Sequence, residues 1–244
     1  MANHATERQS DNLLLIAVRA PVAGETKTRL GAAVGMQRAA LLYAAFIEDL
    51  AVRFMPQGDS TRDYDLGWAV APTEAMFREA MAAIDGFQLP TNARFVEQVG
   101  ADWTVRQVNL LQWGHDRGYA RTVLIASDSP QLRKEIPTMA FCALAEHDVA
   151  LGRVRDGGYY LIGQRGTFDL LSSIEMSTGQ VAERVACRAY AAGLRVAELP
   201  TTFDVDDGND LDQLVDDLAP DGAAAPASWR ALHRHGLIRC RQQR

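Results

Sequence analysis

The sequence predicts an α/β protein whose sheet is mostly parallel. Short apolar runs alternate with longer segments of helical periodicity along most of the 244 residues, which is typical of consecutive β-α-β units. The first apolar run, Leu13–Val18, leads directly into a polar loop that contains proline, glycine and two cations. The length of the chain and its hydrophobic content of 48% suffice for one large domain with a substantial core.

The first half of the chain gives two helices and a second strand. Apolar side chains recur at steps of three and four from Met36 to Phe54, which predicts one long helix packed on the sheet. Leu66–Ala71 is predicted as the second strand. Pro72 then opens a helix that runs to about residue 84, with Thr73 as its N-cap.

The second half continues the alternation. The predicted elements are a helix over 102–117, a strand over 122–126, a helix over 131–146 that bends or restarts at Pro137, strands over 148–152 and 159–163, a helix over 178–193, a strand over 195–199 and a helix over 209–218. Gly118 is expected to end the first of these helices.

The composition divides the chain into three parts. Residues 1–12 are polar and are expected to be loosely ordered or disordered, and residues 13–218 form the α/β domain. Residues 219–244 form a linker and a short basic helix over 228–236. We expect this basic segment to be a docked or frayed appendage, and contact with a second copy in a homodimer is a further possibility.

Charge and composition exclude several partners. A net charge of −6 and a pI near 5.4 argue against nucleic acid, because the chain has no global basic field. No apolar run approaches the length of a membrane span, and residues 1–12 lack the pattern of a secretory signal. The three cysteines are far apart and form neither a disulfide framework nor a zinc spacing, which favours a cytoplasmic location.

The loop after the first strand carries cations at the edge where α/β proteins bind ligands. Ligands of such sheets lie beyond the carboxyl ends of the strands, so cations there predict a phosphate-binding site. The candidate residues are Arg19, Pro21, Gly24, Lys27 and Arg29. The segment is not a P-loop, because that motif requires a glycine directly before the lysine and this chain has Thr26 there.

Asp128 follows the predicted strand over 122–126 and is the first candidate metal ligand. Ser127 and Ser129 beside it are small and leave room for a metal ion with its waters. Magnesium usually takes one or two protein carboxylates together with waters and substrate phosphates. The alternative is that Asp128 caps the helix predicted to begin near Gln131.

Asp204 and Asp206 are the remote carboxylates that would complete such a site. An extended segment would point both side chains the same way, and paired carboxylates repel unless a cation lies between them. We expect one of them, preferably Asp206, to be a ligand. The alternative is an acidic loop in which Asp206 or Asp207 interacts with the next helix N-terminus.

The segment Asp156-Gly157-Gly158 is the candidate acceptor turn. Two glycines let the backbone approach a ligand closely, although Asp-Gly is also an ordinary hairpin turn. Trp103 is predicted as a core or rim residue, with stacking on a base as the alternative. No histidine lies near a serine or cysteine in an arrangement typical of hydrolase triads.

Five segments in order resemble a known family. They resemble a bacterial glycosyltransferase-A-like (GT-A) family of the nucleotide-diphospho-sugar transferase superfamily, related to phospholactate guanylyltransferase and the molybdopterin nucleotidyltransferases. The resemblance covers about residues 13 to 218. The segments that carry it are Arg19–Leu30, Ser127–Pro130, His147–Gly152, Asp156–Gly163 and Asp204–Asp206.

The resemblance implies a three-layer α/β/α fold that binds a nucleotide with Mg²⁺ or Mn²⁺. By position, Lys27 and Arg29 match the family's phosphate-contacting loop. Asp128 and Asp206 match its metal carboxylates, and the two glycines of the acceptor turn match the wall of its acceptor pocket. The chain departs from the family at Trp103–Arg106, where a Leu-Gly-Glu-Arg-like run is usual, so selection of the acceptor or base is expected to differ.

These observations predict a metal-dependent transferase with a nucleotide donor and a small-molecule acceptor. Lys27, Arg29 and Asp128 are its expected catalytic residues, and Asp156 is a candidate general base for glycosyl transfer. Transfer of a nucleotidyl group with release of pyrophosphate is the alternative reaction. A nucleotide-binding module without turnover is the alternative from another class.

Overall fold

The computed structural model describes residues 9–55, 63–84, 93–176 and 178–238. Within them, the strands are β1 (Asn12–Arg19), β2 (Asp65–Ala71), β3 (Arg94–Glu97), β4 (Arg121–Ala126), β5 (Val149–Val154), β6 (Tyr159–Gln164) and β7 (Val196–Thr202). The helices are α1 (Thr28–Val34), α2 (Met36–Phe54), α3 (Glu74–Ala82), α4 (Trp103–Asp116), α5 (Ile136–Ala143), α6 (Val181–Ala191), α7 (Gly208–Leu218) and α8 (Pro226–Arg234).

The described strands form one sheet in the order β3-β2-β1-β4-β6-β5-β7. β1 pairs in parallel with β2 and β4, β2 pairs in parallel with β3, and β5 pairs in parallel with β7. β6 is antiparallel to both of its neighbours, β4 and β5. The carboxyl ends of β1 and β4 therefore lie side by side, and the loops that follow them are neighbours.

Helices cover both faces of the sheet, because successive side chains of a strand point to opposite sides. In β1, Leu14 and Ile16 are buried with α2, α3, α5, α7 and α8, whereas Leu13 and Leu15 are buried with α4 and α6. The predicted three-layer α/β/α fold with a mostly parallel sheet is confirmed. Among the described residues, no helix is long and apolar enough to cross a membrane.

Two predicted helix starts are confirmed by their caps. Thr73 accepts a hydrogen bond from the backbone N–H of Met76 at the start of α3. Asp102 accepts one from the N–H of Val105 at the start of α4. The predicted end of α4 also holds, since Gly118 follows it with a positive φ of 80°.

The helix predicted over 131–146 is shorter in the structure. α5 begins only at Ile136, because the preceding segment is attached to the loop after β7. Ser129 Oγ and Gln131 Nε2 both donate to the carbonyl of Phe203, at 2.8 and 2.9 Å. Pro137 lies in the first turn of α5, where its missing N–H has no cost.

The C-terminal basic helix, α8, packs against α2. Asp49 of α2 accepts hydrogen bonds from the backbone N–H groups of Ala227 and Ser228, both at 2.8 Å, and from Ser228 Oγ at 2.6 Å. A buried carboxylate of one helix thus caps the N-terminus of another. Residues 1–8 and 239–244, which include parts of the predicted terminal segments, lie outside the described residues.

Candidate active site

The candidate site lies where the loops after β1 and β4 meet the segment between β7 and α7. Thr26 Oγ1 donates to the carbonyl of Ala20 at 2.7 Å and so closes the β1 loop on itself. Lys27 follows in the left-handed conformation with a φ of 53° and is the N-cap residue of α1. This backbone conformation turns the chain sharply before the helix begins.

Lys27 connects two carboxylates that are remote in sequence. Its Nζ lies 2.6 Å from Asp128 Oδ1 and 2.7 Å from Asp206 Oδ1, and its side chain is only 7% exposed. Burial by itself lowers the pKa of Lys27, but the two carboxylates outweigh it and raise that pKa above the ordinary value. The lysine is therefore charged, and its ammonium lies between the two acids.

Arg29 adds a second cation to Asp206. Its guanidinium pairs with the other oxygen of that carboxylate, while 72% of the Arg29 side chain is exposed. Burial raises the pKa of Asp206, but the charges and hydrogen bonds of Lys27 and Arg29 lower it by more. The pKa of Asp206 is therefore below its usual range. Asp206 is thus ionised, and Arg29 remains accessible to a ligand.

Backbone and hydroxyl contacts hold Asp128 in place. The carbonyl of Asp128 accepts a hydrogen bond from the N–H of Val205 at 2.9 Å, which ties the β4 loop to the segment after β7. The hydroxyl group of the preceding residue, Ser127, lies 2.7 Å from that of Tyr43. The alternative of Asp128 as a helix cap is wrong, because α5 begins at residue 136 and Glu135 occupies its N-cap.

Asp207, not Asp206, caps the following helix. Its side chain accepts from the N–H of Asn209 at 2.7 Å and of Asp210 at 3.2 Å, and Asp210 completes a capping box. The Asp206 carboxylate pairs instead with Lys27 and Arg29. The segment from 203 to 207 lies beyond the end of β7 and is not a strand, but its burial alternates as expected: Phe203 and Val205 are buried, whereas Asp204 and Asp206 are partly exposed.

Asp204 lies in the field of three other carboxylates. Burial, followed by the fields of Asp206, Asp156 and Asp128, raises the pKa of Asp204 to about 7. A cluster of carboxylates that raises the pKa of one member is chemically suited to a divalent cation, which would relieve their repulsion.

The residues therefore fit a metal held by few protein ligands. Among the described residues, no group of three or more histidine, cysteine or acidic side chains is arranged to hold an ion. Asp128 and Asp206 nevertheless both contact one ammonium, so they lie within reach of a single cation. Magnesium and manganese need only one or two such carboxylates when waters and phosphates supply the other ligands.

Two adjoining cavities meet at these carboxylates. The smaller, about 370 Å³, is lined by the cations Arg19, Lys27, Arg29 and Arg106 and by three acids, Glu25, Asp128 and Asp206. The larger, about 700 Å³, shares Asp128 and Asp206 with it. Among the described residues that line the larger cavity, Arg29 is the one cation and the four acids are Asp128, Asp156, Asp204 and Asp206.

Comparison with known proteins gives the family of the chain. The model of a bacterial family described as uncharacterized proteins conserved in bacteria, DUF2064, matches residues 62–178. A protein from Desulfovibrio desulfuricans G20, provisionally described as a nucleotide-diphospho-sugar transferase, is 31% identical over 93% of this chain and 96% of its own, with a TM-score of 0.81. The chain belongs to the DUF2064 family. It shares the fold of the nucleotide-diphospho-sugar transferase superfamily.

More distant structures share only the fold with this DUF2064 member. A cytidylyltransferase from Leptospira borgpetersenii has a TM-score of 0.51 at 12% identity, over 98% of this chain and 99% of its own. A homologue of Mycobacterium tuberculosis Rv0371c from Mycobacterium sp. strain JC1 has a TM-score of 0.51 at 15% identity, over 87% and 98% of the two chains. A comparison with curated protein sequences gave no match.

The structure distributes the sequence-derived site residues of this DUF2064 member between the two cavities. Pro21, Gly24 and Gly157 shape the loops but line neither cavity. The residues that line one or both are Arg19, Lys27, Arg29, Asp128, Asp156, Gly158, Asp204 and Asp206. Trp103 lines both, which places it between the two halves of the site and not in the core.

Several lining residues were not predicted from the sequence. Gln98 lines the smaller cavity, and its Nε2 donates to the carbonyls of Val18 and Ala69 at 3.0 and 2.8 Å. Gln107 and Tyr159 line the larger cavity. The available signal was the spacing of Trp103 and Gln107, which are one helical turn apart and so share a face of α4.

The glycine turn between β5 and β6 is held by a close backbone approach. Gly157 has a φ of +92°, and a Cβ built on it would lie 2.0 Å from the carbonyl oxygen of Gly179. Asp156 Oδ1 accepts from the N–H of Gly158 at 2.9 Å, so the Asp-Gly segment is both a hairpin turn and a cavity wall.

We expect Gly157→Ala to destabilise the protein by more than about 3 kcal/mol, because it adds a backbone clash to an unfavourable conformation. Gly193→Ala is the matched control: its φ is +73°, but a Cβ there meets nothing within 4 Å. This control should lose only about 1 kcal/mol. Urea unfolding followed by circular dichroism measures both, and equal losses would show that the Gly179 contact does not matter.

Proposed function

We propose that this protein is a metal-dependent glycosyltransferase that uses a nucleotide-diphospho-sugar donor. The observation that carries the proposal is the charge difference between two cavities that share Asp128 and Asp206. The cation-rich cavity suits the diphosphate of a donor, and the acid-rich cavity suits an acceptor with hydroxyl groups. The 31% identical Desulfovibrio relative, with its provisional description as a nucleotide-diphospho-sugar transferase, supports the same reaction class.

Each charged residue has a proposed role. Asp128 and Asp206 would hold Mg²⁺ or Mn²⁺. When bound, the metal would supply positive charge that stabilises the negative donor phosphates. Lys27 moves from the two carboxylates towards those phosphates, and Arg29 approaches them from the exposed side. Such a site works by positioning and electrostatics more than by covalent chemistry.

Asp156 is the proposed general base for the acceptor hydroxyl. It is exposed in the acid-rich cavity, and its Oδ1 is oriented by the N–H of Gly158. An inverting transfer needs a carboxylate that takes the hydroxyl proton as the new bond to the sugar carbon forms. The nucleoside diphosphate then leaves into the cation-rich cavity.

Nucleotidyl transfer is the second candidate function. The four cations of the smaller cavity also suit a nucleoside triphosphate. A phosphate acceptor for that reaction would be repelled by the acids that line the larger cavity, whereas a hydroxyl acceptor would not.

We also propose that the protein acts in a reducing cytoplasm. Cys142 and Cys187 are free thiols, which is consistent with that location.

A thermal-shift panel tests the proposal. The ligands are UDP-glucose, GDP-mannose, CTP and GTP, each with and without Mn²⁺. A ligand present at a hundred times its Kd should stabilise the fold by about 2.7 kcal/mol. We expect a nucleotide sugar to stabilise the protein only when Mn²⁺ is present, and incubation with it to release nucleoside diphosphate.

Each other outcome has a definite meaning. Stabilisation by triphosphates alone, with pyrophosphate released, would replace glycosyl transfer by nucleotidyl transfer. Stabilisation without any product from any donor would favour the nucleotide-binding module. Equal stabilisation with Mn²⁺ and with a chelator would contradict the metal site.

A further inference from the structure

Gln107 is a buried amide with one unused hydrogen-bonding atom at the larger cavity. The residue is 1% exposed, and its Oε1 accepts a hydrogen bond from Tyr159 Oη at 2.9 Å. Its Nε2 is buried and has no hydrogen-bond partner among the residues that the structure describes. A buried donor without a partner costs about 1–3 kcal/mol, so its retention in a cavity wall calls for an explanation.

One polar atom of the amide remains unused in either orientation of the amide group. With the opposite orientation, Nε2 would donate to the Tyr159 oxygen and Oε1 would be left over. In both cases Tyr159 occupies one end of the amide, and the other end has no partner among the described residues. Tyr159 thus fixes the position of the Gln107 side chain.

The surroundings of Gln107 specify the chemistry of its partner. Trp103 is 38% exposed, lines the same cavity and lies one turn away on the same face of α4. Asp156 and Asp204 line the cavity as hydrogen-bond acceptors. A flat aromatic face combined with amide and carboxylate groups suits a ring that carries hydroxyl groups.

The charge of the cavity disfavours an anionic partner. Two of its four acids, Asp128 and Asp206, contact the Lys27 ammonium, whereas none of the ion pairs found among the described residues involves Asp156 or Asp204. A phosphate group placed beside the Asp156 carboxylate would be repelled, because both groups are negatively charged. A neutral ring avoids this cost.

We propose that the Gln107 amide hydrogen-bonds a hydroxyl of an uncharged carbohydrate acceptor whose ring lies on Trp103. Gln107 is then the specificity-determining residue of the acceptor subsite, and Tyr159 is the residue that positions it. The inference rests on the proposed function, because it assigns the acceptor of the same site.

Ligand-detected NMR titration of the full chain tests the subsite. The probes are methyl α-D-glucopyranoside, methyl α-D-mannopyranoside and N-acetylglucosamine, with glucose 1-phosphate as the anionic counterpart. Each is titrated with Mn²⁺ and UDP present and again with neither. We expect at least one neutral sugar to bind at least tenfold more tightly than glucose 1-phosphate under both conditions.

Variants of α4 identify the residue responsible. Gln107→Glu keeps an oxygen for Tyr159, replaces the amide nitrogen by an acceptor and adds a negative charge, and we expect it to weaken binding of that sugar about tenfold. Gln107→Met removes both polar atoms and provides a second variant if the first does not fold. Gln112→Leu is the matched control, because Gln112 is exposed on the same helix and donates to Asp116.

The outcomes separate this inference from the proposed function. Failure of nucleotide sugars to bind the wild-type chain would contradict the proposed function, and the titrations without UDP would still test the subsite. Tighter binding of glucose 1-phosphate, or no binding of any neutral sugar, would overturn the inference. Unchanged sugar affinity in a folded Gln107 variant would also overturn the inference. A residue with a purely structural role would change the melting temperature and leave the sugar affinity unchanged.

Discussion

Replacement of Asp128 by asparagine should reduce transfer about 1,000-fold while the fold is retained. The amide keeps one oxygen to accept the hydrogen bond of Lys27, and the backbone contact of residue 128 with Val205 is unaffected. The negative charge that attracts a divalent cation is lost. Electrostatic groups of this kind are typically worth about a hundred- to a thousand-fold in rate, and we expect the upper end because the metal is lost with the charge.

The measurement is release of nucleoside diphosphate from the donor that the thermal-shift panel identifies. The same variant should lose the additional stabilisation that Mn²⁺ gives to the donor complex. Asp212→Asn is the matched control, because Asp212 is exposed on α7 and lines neither cavity. Wild-type turnover in Asp128→Asn, or an equal loss in the control, would contradict the role assigned to Asp128.

The charged residues of the candidate site could be predicted to lie together because they belong to loops that follow strands. An apolar strand of fixed direction places the next few residues at one edge of the sheet, so Lys27 and Asp128 could be placed near each other before any coordinates. The sequence could not decide whether Asp206 is a metal ligand or interacts with the N-terminus of the following helix. Only the structure shows that Asp207 takes the cap and that Asp206 contacts Lys27.

The polar residues on α4 could not be predicted in this way. A glutamine on a helix is most often an exposed residue, and the sequence does not show that Gln107 is 1% exposed. Its burial is a consequence of how α4 packs on the sheet beside β6, where Tyr159 meets it. The spacing shows that Gln107 shares a helix face with Trp103, but it does not show that this face meets Tyr159.

Short elements were missed for two physical reasons. The N-cap of α1 is Lys27 in the left-handed conformation, and not the serine, threonine or aspartate that usually marks a helix start. β3 has only four residues, one of them buried, so it shows no clear alternation. Conversely, the helix predicted over 131–146 is longer than α5. The side chains of Ser129 and Gln131 contact Phe203, and residues 131–135 are therefore not helical.

Lys27→Met should have opposite effects on metal binding and on donor use. In the wild type the ammonium lies between Asp128 and Asp206, where a cation would bind. We expect its removal to destabilise the protein by about 2 kcal/mol without metal. That is below the usual cost of breaking a buried ion pair, because the two carboxylate side chains are 33% and 29% exposed.

Divalent cations should then compensate for the missing charge. We expect Mn²⁺ without nucleotide to bind Lys27→Met at least tenfold more tightly than the wild type, because it no longer competes with the ammonium. Turnover should fall at least a hundredfold, since the lysine is also the group that neutralises the donor phosphates. Calorimetric titration with Mn²⁺ and the diphosphate-release assay measure the two effects on the same preparation.

Lys134→Met is the control, because Lys134 is the other lysine of the chain and is exposed. It should change neither quantity. Weaker Mn²⁺ binding in Lys27→Met would show that the lysine supports the metal site without competing for it. Unchanged turnover would show that Lys27 serves only to hold the two carboxylates together. The increase in metal affinity combined with the loss of turnover is the result that a lysine moving between carboxylates and phosphate requires, because each position of the ammonium excludes the other.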